Sequence, residues 1–104
     1  MAKLEEVYLG HLDAATDLDK KSYEGWREEY IQRYGVICVY ISEKKAKGKY
    51  MLRFFTTDQP DLIDEDGSCL RTSPGDLFID NVEKKLSLKT DHSIYSFSKI
   101  SRIG

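Results

Sequence analysis

A chain of 104 residues, 40% hydrophobic and 33% charged, has the length for one core rather than two and too much apolar surface to stay disordered. A formal net charge of −2 excludes a uniformly basic surface that binds nucleic acid by charge alone. The charge is uneven, however: −3 over residues 1–35, +4 over 36–57, −5 over 58–66 and +2 over 67–104.

In chain order, residues 2–9 (AKLEEVYL) read as a short helix or an edge strand, stopped by Gly10. The stretch 11–21, punctuated by Asp13, Asp17 and Asp19, reads as a polar linker with one helical turn. The main helix is expected from Ser22 to Tyr34. Ser22 serves as its N-cap, Tyr23, Trp26, Tyr30 and Tyr34 form one stripe widened by Ile31, and Gly35 is the stop. Gly25 weakens this helix by about 1 kcal/mol relative to Ala.

After Gly35 the period changes to two. Val36–Ser42 and Lys49–Thr57 are expected strands of a hairpin whose long loop carries Glu43 to Gly48. Apolar residues on both faces of each strand place this pair at the centre of a sheet, covered on one side by the helix. Residues 58–67 form an acidic loop with Pro60 and Gly67 as punctuation, followed by a strand at 68–72. From Thr72 to Ile100, Leu77-Phe78-Ile79, Leu86-Ser87-Leu88 and Ile94-Tyr95-Ser96-Phe97 are separated by turn-forming residues, which predicts an antiparallel meander.

The fold expected is therefore a single α+β domain over residues 1–104: one main helix packed on an antiparallel β-sheet of about five or six strands. A small, partly open β-barrel with a helix is the alternative. The expected core is Trp26, Tyr30, Ile37, Val39, Ile41, Leu52, Phe54, Leu77, Ile79, Leu86, Leu88, Tyr95 and Phe97. Cys38 and Cys69 are expected as buried free thiols in a reducing cytosol, with a disulfide between them as the alternative. No basic start followed by an apolar run succeeds Met1, and no apolar stretch approaches a membrane span. The expectation is a cytoplasmic protein with no membrane partner.

Candidate chemistry is sparse. Asp91-His92-Ser93 holds the residue types of a hydrolase triad, but neighbours in a turn diverge, so a polar hairpin tip is expected instead. Asp64-x-Asp66-Gly67 has part of a calcium-loop pattern, yet the first ligand position would fall on Leu62 and the twelfth on Ser73, which excludes an EF-hand. His11 and His92 have no cysteine or histidine at ligand spacing, so neither a metal nor a cofactor is expected. The run Lys47 to Phe54 departs from the RNA-recognition-motif strand pattern. Lys49 stands where an aromatic stacks on a base and Tyr50 where a small residue stands, and no family is assigned on it.

These observations lead to a small non-enzymatic protein-binding module of inhibitor, immunity or adaptor type. Its surface is expected to be tyrosine-rich and acidic: Tyr23, Tyr34, Asp61, Asp64, Glu65 and Asp66, facing a protein partner. The alternative is single-stranded nucleic-acid binding through the 43–55 hairpin, using Lys44, Lys45, Lys47, Lys49 and Arg53 beside Tyr40, Tyr50 and Phe55. A third reading is a small enzyme whose site is assembled from distant residues.

Overall fold

The computed structural model describes residues 2–42, 49–56 and 69–104, without the side chains of Ala2 and Trp26. Seven strands form one antiparallel sheet: β1 (Ala2–Asp17), β2 (Tyr34–Ser42), β3 (Tyr50–Thr56), β4 (Leu70–Arg71), β5 (Gly75–Asp80), β6 (Lys85–Thr90) and β7 (Ser93–Arg102). Their order is β2-β1-β7-β6-β5-β3-β4, and an additional β2–β3 pairing turns the sheet back on itself as a barrel. Closure is tight everywhere except between β3 and β5, which meet only at Tyr50 and Gly75.

The α+β expectation is overturned: the fold is a small all-β sheet, and no α-helix occurs among the described residues. The partly open barrel with a helix fails on the same point. Instead of a helix over 22–34 there is one 3-10 segment, Gly25–Tyr30. Its N-cap, Glu24, makes no side-chain capping bond, and Gly25 has φ +80, so the first turn lacks what an α-helix needs. Tyr, Trp and Ile are also middling helix formers. Ser22 bridges back to Thr16, and Tyr34 already belongs to β2. The end of the segment pairs with β1 instead: Gln32 donates to the Leu12 carbonyl at 2.7 Å and Leu12 to that of Arg33 at 2.9 Å.

The polar linker expected at 11–21 is also corrected, since β1 runs unbroken through residue 17. Three irregularities in register bend this strand across the barrel: Leu4 to Glu6 against β2, and Leu9 to His11 and Leu12 to Ala14 against β7. Such bulges add twist where a sheet must curl. Lys99, at φ 54, sits within the second of them.

The meander expected at the C-terminal third is present as β5, β6 and β7. The β5–β6 turn is held by Asp80, whose carboxylate accepts from the backbone N–H groups of Val82 and Glu83 at 2.9 and 3.1 Å. Inward-facing residues fill the barrel. Ile37, Val39, Leu52, Phe54, Leu86, Leu88, Tyr95 and Phe97 are buried as expected, joined by Tyr8, Leu12, Ala15, Leu70 and Ile100. Tyr30, Leu77 and Ile79 pack partly buried against them, and Ile41 is half-buried. Phe54 stands at the centre, edge-on to Phe97 at 5.4 Å and to Tyr30 at 6.5 Å.

Two glycines set how closely strands approach. A Cβ on Gly35 would run into the Phe55 carbonyl, and one on Gly75 into that of Lys89. Both obstacles are backbone and cannot rotate away. Gly35→Ala and Gly75→Ala are each expected to cost about 3 kcal/mol, the upper end of overpacking, read as lowered urea midpoints. Phe54→Ala should cost about 3–5 kcal/mol in the same assay.

Candidate binding surface

One end of the barrel is closed by ionic and phenolic contacts between the first and last strands. Tyr8 donates its hydroxyl to Glu6 Oε2 at 2.9 Å, and Arg102 pairs with the same oxygen at 3.0 Å. Ile103 donates to the Val7 carbonyl at 2.8 Å and Val7 to that of Gly104 at 3.0 Å. Burial first, then the hydrogen bond and charge of Glu6, push the Tyr8 phenol up to about 12, against the opposing Arg102 charge.

A second polar knot joins the segment before the 3-10 turn to the β6–β7 hairpin. Tyr23 donates to the His92 carbonyl at 3.1 Å and shares a 2.5 Å hydrogen bond with Ser93 Oγ. Thr90 Oγ1 accepts from the Ser93 amide at 3.0 Å. Asp91-His92-Ser93 is thus a hairpin tip: Ser93 is buried and committed to Tyr23, while His92 is exposed. Arg27 lies over the Tyr23 ring at 4.7 Å and reaches the Tyr95 hydroxyl at 3.4 Å.

A third cluster joins residues that sequence reading kept apart. Asp13 Oδ1 accepts from Ser98 Oγ at 2.8 Å and lies 2.6 Å from His11 Nδ1. These are again triad residue types, but the carboxylate occupies the middle. Ser98 gives its proton to Asp13 and not to an imidazole, so the hydroxyl is not activated for attack. The cluster instead pins a bulge of β1 to β7. Its only sequence signal is the His11-x-Asp13 spacing, which says nothing of Ser98.

The residues expected to carry binding are distributed as follows. Asp61, Asp64, Glu65 and Asp66 lie outside the described residues, as do Lys44, Lys45 and Lys47. Tyr23 is half-buried in the knot above, whereas Tyr34 is 41% exposed on β2. The two are not brought onto one helical stripe. Lys49 is paired with Asp76 at 2.5 Å. Arg53 projects outward from β3, lying 5.1 Å from the centre of the Tyr40 ring. Cys38 and Cys69 are free thiols, half-buried rather than buried as expected; burial first, then the neighbouring Cys69, push the Cys38 thiol up, so it is a poor nucleophile at neutral pH. No group of metal-ligating side chains occurs among the described residues. None of their helices is long and apolar enough to cross a membrane.

The most exposed apolar side chains of the barrel wall lie on the β5–β6 hairpin: Phe78 at 59% and Val82 at 89%. Sequence reading grouped Phe78 with Leu77 and Ile79, but alternation turns it outward while its neighbours face the core. Phe78 stands in register with Ser87, Ser87 with Ser96, and Ser96 with Ala14. Ser87 and Ser96 floor an external trough of about 580 Å³, with Phe78 and Asp13 at its sides and Asp80 and Lys85 also lining it. Beyond Gly75, the edge of β5 facing away from β6 pairs with no strand among the described residues.

Among the described residues these features define a small all-β barrel with a packed interior and a β5 edge that pairs with no strand beyond Gly75, flanked by exposed apolar side chains. Comparison with protein-family models, with curated protein sequences and with solved structures returns no match.

Because the Tyr8 phenol titrates near 12 in the folded barrel and near 10 when unfolded, folding favours its protonated form. This stability is intact below pH 10 and is lost as pH rises through about 12. Urea midpoints should fall over that window, with a flatter profile in Tyr8→Phe. Tyr30, whose phenol burial also raises, sustains the remainder.

Proposed function

We propose that this chain is a small non-enzymatic protein-binding module of the cytosol that receives an extended segment of its partner along β5. The observation that supports this reading is the β5 edge, unpaired beyond Gly75 among the described residues, with Phe78 and Val82 exposed beside it. An unpaired strand edge offers alternate N–H and C=O groups to an incoming strand, and a flanking aromatic side chain anchors it. The trough over Ser87 and Ser96 gives a partner side chain room to fold over Phe78.

Charge indicates what kind of strand fits. Two β5 edges pairing antiparallel about Phe78 would set Asp76, already paired with Lys49, against Asp80 twice, and two carboxylates opposite one another destabilise a sheet. Self-association is disfavoured, and a heterologous strand with cationic residues flanking an apolar centre is favoured. Two free thiols suit a reducing compartment.

The test is a photo-crosslinking residue at position 78, compared with one at exposed Glu24, in the host cell. A partner captured only from position 78 should bind the purified wild type and lose at least 10-fold in affinity to Phe78→Ala. Phe78 is exposed, so that variant should keep its urea midpoint to within about 0.5 kcal/mol. Equal affinity of the variant, or equal capture from both positions, would remove β5 from the model.

A further inference from the structure

We propose that the outer face of β3 and β4 is a binding site for a phosphate-type oxyanion, clamped between Arg53 and Arg71. The site is separate from the β5 edge and does not rest on it. Arg53 and Arg71 are direct partners in the antiparallel register, so two guanidiniums project side by side from adjacent strands. Like charges so placed repel. In a chain with more acids than bases, the expected remedy is a carboxylate neighbour. Among the described residues neither arginine has one, although Lys49 is matched to Asp76 and Arg102 to Glu6.

The surroundings are shaped as well as charged. Tyr40, Met51, Leu52, Arg53, Arg71 and Thr72 line a cavity of about 240 Å³. The Tyr40 ring holds the Arg53 guanidinium from one side, which limits its rotamers before any ligand arrives. Thr72 accepts the Leu52 amide through Oγ1 at 2.9 Å, leaving its own hydroxyl hydrogen to donate. Arg71 also lines the neighbouring cavity with Arg27 and Asp91, although no ion pair joins Arg71 to Asp91. Two planar forks and a hydroxyl are the donor set that a tetrahedral dianion satisfies, and the guanidinium fork matches phosphate oxygens two at a time. A bound dianion would offset the repulsion that this pair carries among the described residues.

The ligand is thus inorganic phosphate or a phosphate monoester. The two are distinguished by titrating the whole chain at low ionic strength with inorganic phosphate and, separately, with O-phosphoserine. The readout is the NMR shift of the Arg53 and Arg71 Nε–H groups, with sodium chloride at matched ionic strength as control. A saturable shift at millimolar ligand or below supports the site; tighter binding of phosphoserine assigns the ester, and equal or weaker binding the free ion. Arg53→Gln and Arg71→Gln should each weaken binding at least 10-fold. Each should also keep or raise the urea midpoint without phosphate, because one member of a repelling pair is gone. A non-saturable shift matched by chloride, binding that survives both substitutions, or binding of a single-stranded oligonucleotide but of neither small ligand would overturn the proposal.

Discussion

The barrel depends on β1 reaching both of its neighbours. The strand is long enough to pair with β2 along its first part and with β7 along its second, and its bulges turn it between the two. Without that bend the centre of the sheet would be apolar on both faces with nothing to cover the inner one. With it, the sheet covers itself, and Leu12, Phe54 and Phe97 meet in one interior. At Gly35 and Gly75 neighbouring strands approach too closely for any side chain.

Closure also determines where the chain can interact. Among the described residues large side chains fill the interior, which leaves the outer wall and a loosely joined seam as the accessible features. That seam lies between β3 and β5, and the features singled out lie on either side of it. The hairpin with Phe78 flanks it through β5, and the arginine pair flanks it through β3 and β4. The polar knots around Tyr23 and Asp13 serve the scaffold, holding the hairpin tip and the β1 bulge.

The strands whose information is local were legible in the sequence. β2, β3, β5, β6 and β7 announce themselves by alternation and by turn residues such as Asp80 and Thr90. β1 was hidden because its bulges shift the alternation midway, and because His11 and Asp13 read as linker when their partner Ser98 is unknown. The aromatic spacing from Tyr23 to Tyr34 imitates a helix, but its residues satisfy a 3-10 turn, a bridge to β1 and the start of β2. The arginine pair was half visible. Arg53 stood out beside aromatic residues, whereas Arg71 acquires meaning only through the β3–β4 register. Phe78 was visible as hydrophobic but not as exposed, since a three-residue apolar run does not state which member points outward.

The pairing of first and last strands has a kinetic consequence. Asp13 and Ser98 are 85 residues apart, and β1 cannot complete its ladder until β7 arrives. Loop-closure entropy must be met before that contact returns any stabilisation, which places the chain among slow, high-contact-order folders on the millisecond-to-second scale. The local β5–β6–β7 meander needs no such wait. A refolding chain would therefore hold a finished meander while the edge of β1 meant for β7 is still unpaired.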